Sequence, residues 1–208
     1  MDKRLIIIGA SGHGKVVADI ALLNGYTNIC FLDDDETVKE CAGFPVVGKS
    51  TEARAMDGDK VVAIGNAKIR ERIQSEIETV SLIHPDAVIG RNVEIGKGTV
   101  IMAGVVINTD VKVGEGCILN TASSVDHDCK IGDFVHVAVG AHICGTVKVG
   151  KKTWIGAGAT VSNNISICED VMVGAGTVVI KDITEKGTYI GVPSRLMDKT
   201  NWIVSSDV

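Results

Sequence analysis

An aliphatic side chain recurs at every sixth position through the second half of this chain. From residue 89 to residue 179, sixteen successive positions of this register hold Ile, Val or Leu without interruption. Two residues before each of them lies a small or β-branched residue, as at Ala87, Val93 and Thr99. Side chains two apart on a strand point to the same face, so each hexad supplies one small and one large inward residue. A fixed period of this kind predicts a β-helix, with three hexads closing each triangular coil.

Glycine often follows the aliphatic position, as at Gly90, Gly114 and Gly150. Because glycine has no Cβ, we expect it to relax the backbone at the corners between strands. The composition suits a slim, repetitive β architecture. Of 208 residues, 24 are glycine and only 3% are aromatic, whereas 45% are hydrophobic and can fill a core.

Charge and cysteine content narrow the possible partners. A net charge of -5 argues against nucleic acid as the main partner. The six cysteines form no C-x-x-C pair, so we expect free thiols and no metal site. The apolar run at residues 5–8 is too short for a signal-peptide core or a membrane span. We therefore expect a cytoplasmic protein.

The first eighty residues lack the six-residue period and read as a βαβ-type half of a nucleotide-binding fold. Strands are expected at 5–8, 29–32 and 61–64, with helices at 15–24 and 67–77. The loop Gly9-Ala10-Ser11-Gly12-His13-Gly14 joins the first strand to the first helix. Such a loop lets backbone N–H groups approach a phosphate at a helix N-terminus. Carboxylates after the second strand, Asp33 and Asp34, are placed to reach ribose or base atoms. The spacing is not that of a dinucleotide site, so we expect a mononucleotide or a nucleotide-sugar.

These patterns divide the chain into four parts. We expect a nucleotide-sugar-binding α/β domain at 1–80, a linker at 81–86, a β-helix at 87–183 and a C-terminal cap or tail at 184–208. One outward-facing stripe on the β-helix is apolar, and an exposed apolar stripe favours contact with a partner surface. It consists of Ile118, His136, Trp154 and Met172, and favours a subunit contact and a groove for a ligand.

One corner of the β-helix carries an outward histidine, His127. Residues 18 apart stack on successive coils, which places Thr109 below this histidine and Gly145 above it. Histidine titrates near neutral pH and is suited to act as a general base. Glycine at the next coil leaves room for a thioester and exposes a backbone N–H. We therefore expect the Gly145 N–H to stabilise an oxyanion.

Seven motifs, in this order along residues 4 to about 197, resemble those of one family. They are Gly9–Gly14, Phe31-Leu32-Asp33-Asp34, Ala63-Ile64-Gly65-Asn66, Leu119-Asn120-Thr121, Val125-Asp126-His127-Asp128-Cys129, His136–Ala141 and Gly191-Val192-Pro193. The chain is similar to bacterial nucleotide-sugar N-acetyltransferases that acetylate UDP-4-amino-4,6-dideoxy sugars. It also resembles the related sialic-acid O-acetyltransferases and perosamine N-acetyltransferases.

The resemblance implies a left-handed β-helix, a homotrimer and acetyl-CoA as co-substrate, bound between neighbouring subunits without a metal. It implies His127 as general base, with Asp128 at a position where the family typically has Glu. Asn120 would hold His127 or the sugar. The UDP part would lie at Ser11, Gly12, His13, Asp33, Asp34 and Gly65. The CoA side or the acetyl group would involve His136. Apart from the resemblance, Ala157 and Ala175 share another corner column, and their small side chains are expected to leave space for CoA.

Other readings stay open at this point. Some left-handed β-helices are zinc carbonic anhydrases, but His127, His136 and His142 are 9 and 6 residues apart, which places them on different corners or strands. A non-enzymatic nucleotide-sugar sensor would need no base at the corner. Within the transferases, the alternatives are O-acetylation of a sialic acid and N-acetylation of a GDP- or dTDP-linked amino sugar.

Overall fold

The N-terminal part is an α/β domain with one sheet of five strands. In the computed structural model, which describes residues 3–197, the strands are β1 Arg4–Ile8, β2 Asn28–Leu32, β3 Glu40–Cys41, β4 Phe44–Gly48 and β5 Asp59–Val62. The sheet order is β3-β4-β2-β1-β5, with β1 parallel to β2 and β5. The helices are α1 Gly12–Leu23 and α2 Ala67–Gln74, with a 3-10 helix at Ser50–Ala55. The predicted βαβ half domain is present.

Close packing of α1 on the sheet depends on the glycine-rich loop. A Cβ at Gly14 would lie 2.2 Å from the carbonyl oxygen of Gly9, so only glycine lets the helix begin this close to β1. The strand itself is apolar and wholly buried from Leu5 to Ile8. The second helix is capped by Asn66, whose side chain accepts hydrogen bonds from the N–H groups of Lys68 and Ile69.

The rest of the described chain is a left-handed parallel β-helix. Its strands, each of two residues, are β6 Leu82–Ile83, β7 Val88–Ile89, β8 Glu94–Ile95, β9 Val100–Ile101, β10 Val106–Ile107, β11 Lys112–Val113, β12 Ile118–Leu119, β13 Ser124–Val125, β14 Lys130–Ile131, β15 His136–Val137, β16 His142–Ile143, β17 Lys148–Val149, β18 Trp154–Ile155, β19 Thr160–Val161, β20 Ser166–Ile167, β21 Met172–Val173 and β22 Val178–Val179. Two further strands, β23 Thr188–Ile190 and β24 Arg195–Leu196, complete it.

From β6 to β22, each strand pairs in register with the strand 18 residues away, as Val106 pairs with Ser124 and Ser124 with His142. Three sheets result. We call them face 1 (β6, β9, β12, β15, β18, β21, β23 and β24), face 2 (β7, β10, β13, β16, β19 and β22) and face 3 (β8, β11, β14, β17 and β20). The aliphatic column predicted from the period fills the interior, and Ile107, Val125 and Val137 are completely buried.

The corners differ from the expectation in one respect. At the corners, the residue with a left-handed backbone conformation lies three positions after the aliphatic residue, as at Asp110 with φ 61° and Asp128 with φ 60°. Most of these residues are not glycine. The glycine directly after the aliphatic residue is required by close stacking instead. A Cβ at Gly150 would lie 2.5 Å from the backbone carbon of Cys168 on the next coil. The role predicted for these glycines was therefore wrong, because coil stacking and not φ sets the requirement.

The observed limits of the β-helix also differ from the predicted domain boundaries. Leu82–Ile83 lies in the predicted linker 81–86, yet it pairs with Val100–Ile101 as the first strand of face 1. At the other end, β23 continues face 1 by pairing with β21, and β24 folds back antiparallel to β23. Parallel pairing therefore extends past the predicted end at 183. Residues 198–208 of the predicted tail lie outside the described residues.

The N-terminal domain packs on face 1 of its own chain. Met102, Ile118 and His136 are 1%, 0% and 6% exposed, whereas Met172, further along the same face, is 42% exposed. This apolar stripe, for which we predicted contact with another subunit, is thus partly covered by α1 and α2 of the same chain. The sequence pattern shows that the stripe is apolar, but it does not identify the surface that packs against it. Within residues 3–197, no helix has the length and apolar character needed to cross a membrane.

Candidate active site

His127 projects from the corner between β13 on face 2 and β14 on face 3. Its Nδ1 lies 2.8 Å from Oδ2 of Asp128, and half of the imidazole side chain is exposed. The shorter aspartate therefore reaches the ring at the position where the resembled family has glutamate. The hydrogen bond with Asp128, followed by the charge of Asp126, raises the pKa of His127. With Nδ1 held, Nε2 is the ring nitrogen left to accept a proton.

Gly145 lies directly against the imidazole from the next coil. A Cβ at this position would be 2.7 Å from both Cε1 and Nε2 of His127, so the ring occupies the space that any larger residue would take. The Gly145 carbonyl accepts a hydrogen bond from Asn164 N–H. Among the described residues, the Gly145 N–H has no backbone acceptor. Gly145 thus stacks on His127 as the 18-residue spacing predicts, and its backbone N–H lies beside the imidazole.

A second carboxylate at this corner was not singled out from the sequence. Oδ1 of Asp126 accepts hydrogen bonds from His127 N–H at 2.8 Å and from Nδ2 of Asn108 at 2.7 Å. These two bonds lower the pKa of Asp126. The signal was available, because Asn108 lies 18 residues before Asp126 and therefore stacks beneath it.

Three other predicted residues, His13, Asn120 and His136, lie at the junction between α1, α2 and face 1. His136 is buried against Trp154, with ring centroids 4.0 Å apart, and its Nε2 lies 3.2 Å from Nδ2 of Asn120. Asn120 thus contacts His136, and the structure shows no contact between it and His127. His13, in the first turn of α1, is near enough to His136 for their charges to interact.

Burial, followed by the charge of the nearby Arg70, lowers the pKa of His136 to about 3 and that of His13 to about 4. Both imidazoles are therefore neutral at physiological pH. His136 Nδ1 and His13 Nε2 are buried, and neither has a hydrogen-bond partner within residues 3–197. Neutral imidazoles with an open nitrogen are suited to hydrogen-bond polar groups of a ligand.

Arg70 is the buried cation that connects this junction, and sequence reasoning missed it. Its side chain is completely buried and donates to carbonyl oxygens of four residues: Nε to Gly116 at 2.6 Å, Nη1 to Ile64 at 2.7 Å and Gly65 at 2.9 Å, and Nη2 to Phe134 at 2.9 Å. Burial lowers its pKa to about 10, so it stays charged at neutral pH. An arginine on a polar helix gives no sequence signal that it will face inward.

Of the residues predicted to hold the nucleotide-sugar, Ser11, Gly12 and Asp33 lie around the N-terminus of α1. Ser11 is the N-cap residue, but its hydroxyl makes no capping bond. Around Gly12 there is open space, since no atom lies within 4 Å of the place for a Cβ. The Asp33 carboxylate accepts from Ala10 N–H at 2.6 Å and from Asp35 N–H at 2.9 Å, so it fixes the glycine-rich loop.

Asp34 points elsewhere. Its carboxylate accepts from Ser50 N–H at 3.0 Å, and it lines a cavity with Arg54 and Arg72 beside the 3-10 helix and α2. Gly65 is at the junction, where a Cβ would lie 3.9 Å from Cζ3 of Trp154. The structure therefore brings Gly65 to His136 and Trp154, and separates Asp34 from them.

A cavity of about 610 Å³ opens between the start of α2 and face 1. Gly65, Asn66, Lys68, Lys152, Trp154 and Met172 are among its lining residues. Ala157 and Ala175 are exposed at the adjoining corner between faces 1 and 2, one coil apart. Their small side chains leave this edge unobstructed.

The His127 corner and the junction lie on different sides of the β-helix. His127 follows face 2, whereas His136, Trp154 and Gly65 are at face 1. Within one chain, the proposed base does not face the glycine-rich loop. His142, which stands on face 2, bonds Ser124 through Nδ1 at 2.8 Å. In the part of the chain that the structure describes, no three His, Cys, Asp or Glu side chains are grouped so that they could hold a metal ion.

Comparison with known proteins identifies both parts of the chain. The profile of the PglD N-terminal domain family matches residues 4–77. The UDP-N-acetylbacillosamine N-acetyltransferase of Bacillus subtilis (strain 168) is 34% identical over an alignment 113 residues long, which covers 49% of this chain and 52% of that protein. The chain thus matches about half the length of this curated relative.

Solved structures match over nearly the whole chain. The acetyltransferase domain of PglB from Neisseria gonorrhoeae FA1090 is 38% identical with a TM-score of 0.90, covering 94% of this chain and 100% of that one, and it has also been solved with acetyl coenzyme A. A mutant of perosamine N-acetyltransferase from Caulobacter crescentus, solved with CoA and GDP-perosamine, is 33% identical with a TM-score of 0.91. That match covers 95% of this chain and 98% of the other.

Proposed function

Because this chain belongs to the family of the PglD- and PglB-type sugar N-acetyltransferases, we propose that it transfers acetyl from acetyl-CoA to the amino group of a UDP-linked 4-amino-4,6-dideoxy sugar. The observation that carries the proposal is the corner at which Asp128 holds the His127 imidazole beneath the free N–H of Gly145. A base next to an oxyanion donor is the arrangement that acyl transfer to an amine requires.

The chemistry follows from these three groups. His127 Nε2 accepts the proton that the sugar amine loses as its nitrogen attacks the thioester carbonyl carbon. The carbonyl oxygen becomes an oxyanion, to which the Gly145 N–H donates a hydrogen bond. As the carbon–sulfur bond breaks, the imidazolium returns the proton to the thiolate. The products are the acetamido sugar and free CoA.

The raised pKa of His127 serves the first step, because a more basic imidazole takes the amine proton more readily. Asp128 acts as the group that orients the ring and stabilises the imidazolium. Aspartate in place of the family's glutamate supports this role here, since its Oδ2 reaches Nδ1 at hydrogen-bond distance.

The glycine-rich loop is suited to hold the diphosphate of the acceptor. The N-terminus of α1 presents backbone N–H groups with a partial positive charge, and the open space at Gly12 admits the phosphates. Asp33 keeps the loop in place through Ala10 N–H. His13 and His136 would then face the sugar or the acetyl group as neutral hydrogen-bonding partners.

A homotrimer would complete this site. Because His127 stands at the corner between faces 2 and 3, and the glycine-rich loop lies at face 1, one subunit's corner must meet face 1 of its neighbour. Trp154 and Met172 remain partly or largely uncovered by the chain's own domain, and the cavity beside them is a suitable place for the pantetheine arm. Acetyl-CoA and nucleotide-sugars as substrates agree with a cytoplasmic location.

A GDP-linked amino sugar is the second candidate acceptor. The perosamine N-acetyltransferase structures, 33–34% identical over 95% of this chain, hold GDP-perosamine. The acceptor is tested by incubating the protein with acetyl-CoA and either UDP- or GDP-linked 4-amino-4,6-dideoxy sugar. We expect the UDP-sugar to gain the mass of one acetyl group at a higher kcat/KM. A preference for the GDP-sugar would replace the first candidate by the second, and acetylation of a sialic acid alone would contradict both.

A further inference from the structure

The corner that holds the base contains two carboxylates, and only Asp128 touches the imidazole. We propose that Asp126 is a second positioning residue, which fixes the His127 backbone and adds a permanent negative charge beside the imidazole. This inference rests on the proposed role of His127 as general base.

Hydrogen bonds fix Asp126 from three directions. Its own N–H donates to the Ile143 carbonyl at 2.9 Å, which sets the backbone in register with the next coil. Its Oδ1 accepts from His127 N–H and from Nδ2 of Asn108. Asn108 is itself held, because its N–H donates to the Val125 carbonyl at 2.9 Å. The carboxylate is thus anchored between two coils and cannot turn away without losing two bonds.

This anchoring gives the two stacked corner N–H groups different roles. The N–H of His127 is satisfied by the Asp126 carboxylate, whereas the N–H of Gly145 directly above has no backbone acceptor among the described residues. An oxyanion at this corner would therefore find one open donor, at Gly145. Without Asp126, the His127 N–H would lose its partner and the backbone under the imidazole would be less constrained.

The charge of Asp126 also acts on the ring. Two donors stabilise its ionised form and lower its pKa, so it is negative at neutral pH. Among the described residues, the charges that act on the His127 ring are those of Asp126 and Asp128 on its own corner. Asp110 lies 18 residues before Asp128, on the coil below, where it bonds Asn92 and Thr109. On the coil above, the neighbours are Gly145 and Thr146. A negative charge fixed one residue away favours the imidazolium that forms during catalysis.

The test replaces Asp126 by asparagine. Asp126→Asn keeps the size and an oxygen that can accept from His127 N–H, and removes only the charge. The His127 titration is followed by NMR in ¹³C-histidine-labelled protein, with the signal assigned by its loss in His127→Gln. We expect the His127 midpoint to move to lower pH in Asp126→Asn, and further in Asp128→Asn. The acidic limb of kcat/KM should move in the same direction, because an imidazole of lower pKa stays neutral down to a lower pH.

Glu94→Gln is the matched control. It removes one carboxylate from the same β-helix, in an exposed pair with Lys112 on face 3, and should leave the His127 titration unchanged. If Asp126→Asn fails to fold, the salt dependence of the His127 titration in the wild type tests the proposal instead. Raising the salt from about 0.02 M to about 0.5 M should lower the His127 midpoint, because ions screen the carboxylates, and Asn108→Ala should reduce the size of that change.

The outcomes separate this inference from the proposed function. A lowered His127 midpoint in Asp126→Asn, in a protein that acetylates no sugar, would support the role of Asp126 and remove the enzymatic proposal. An unchanged midpoint and an unchanged pH profile in an active Asp126→Asn variant would overturn the role of Asp126 and leave the enzyme proposal standing.

Discussion

At the scale of single residues, the neighbours of an outward side chain on the β-helix are 18 positions away in the sequence. Asn108 bonds Asp126, Ser124 bonds His142 and Lys112 bonds Glu94, each pair separated by one coil. The residue type at a corner is therefore constrained by the residues directly above and below it. His127 depends on this arrangement most, because Gly145 gives it the space that its ring occupies.

Gly145→Ala tests that dependence. A Cβ at 145 would lie 2.7 Å from Nε2 of His127, so the imidazole must turn away from its present position. We expect kcat to fall by roughly 100-fold, since misplacing a catalytic group by about 1 Å has an effect of this size, while the protein remains folded. The measurement is kcat and the thermal midpoint of both proteins.

Asn163→Ala is the matched control, because Asn163 occupies the same column on the following coil and is exposed. It should retain wild-type kcat. Wild-type activity in Gly145→Ala would contradict the proposed position of the imidazole during catalysis.

At the scale of elements, the β-helix was predictable and the junction was not. The six-residue period determines the strands and their register, because every inward side chain repeats it. The short strands Glu40–Cys41 and Phe44–Gly48 carry no such signal and were not predicted. Helix α2 was predicted, but a helix pattern gives no partner surface, so its contacts with face 1 through Arg70 and Gln74 became visible only in three dimensions.

The contacts of the candidate site were likewise only partly predictable from the sequence. His127 and Gly145 could be paired from the sequence, because the period fixes which residues stack. Asn120 could not be assigned to His136, since the contact crosses from a corner to a strand on the next coil. Asp33 and Asp34 are adjacent and carry the same functional group. They face different surroundings because alternate residues after a strand point to opposite sides.

Arg70→Met tests the junction. The variant removes a guanidinium that donates to four carbonyl oxygens in a fully buried position. Leaving several buried acceptors without partners should lower the free energy of unfolding by about 3 kcal/mol or more. Urea unfolding measures this change.

Arg72→Met serves as the control, because Arg72 lies on the same helix and is exposed. It should change the free energy of unfolding by less than about 0.5 kcal/mol. Equal stabilities of the two variants would show that the buried contacts of Arg70 do not hold α2 to face 1.

At the scale of the whole molecule, two buried imidazoles tie stability to pH. In the folded protein the pKa is about 4 for His13 and about 3 for His136, below the ordinary value of 6.5. Between these values the unfolded chain binds protons that the folded chain does not, so the free energy of unfolding falls as the pH decreases from about 7 to about 5. Urea midpoints at these two pH values measure the loss.

The carboxylates with lowered pKa values, such as Asp126 and Asp170, lose their contribution mainly at lower pH, where unfolded carboxyl groups become protonated. The change in the free energy of unfolding between about pH 5 and about pH 7 is therefore due mainly to the histidines. His136→Gln should flatten the dependence in that window. The same steep dependence in His136→Gln and His13→Gln would show that neither imidazole is held neutral by the fold.

The proposed sharing of the site between subunits is tested by complementation. Gly12→Trp should block the glycine-rich loop, because its side chain enters the open space at the start of α1, and His127→Ala removes the base. Each variant alone should be inactive. Mixed trimers, co-expressed and purified through two different tags, should regain activity because some sites combine an intact loop with an intact corner. Mixed trimers that stay inactive would place both halves of the site in one subunit.

The central claim is that His127 is the base of an acetyl-CoA-dependent sugar N-acetyltransferase. It is tested most directly by measuring free thiol released from acetyl-CoA with a UDP-linked 4-amino-4,6-dideoxy sugar as acceptor, in wild type and His127→Ala. We predict rapid release by the wild type and a loss of roughly 10²–10⁴-fold in the variant, the range expected for removing a general base. Equal rates in the two proteins would contradict the role of His127. No release from wild type with either UDP- or GDP-linked amino sugars would contradict the enzyme itself and favour a nucleotide-sugar sensor.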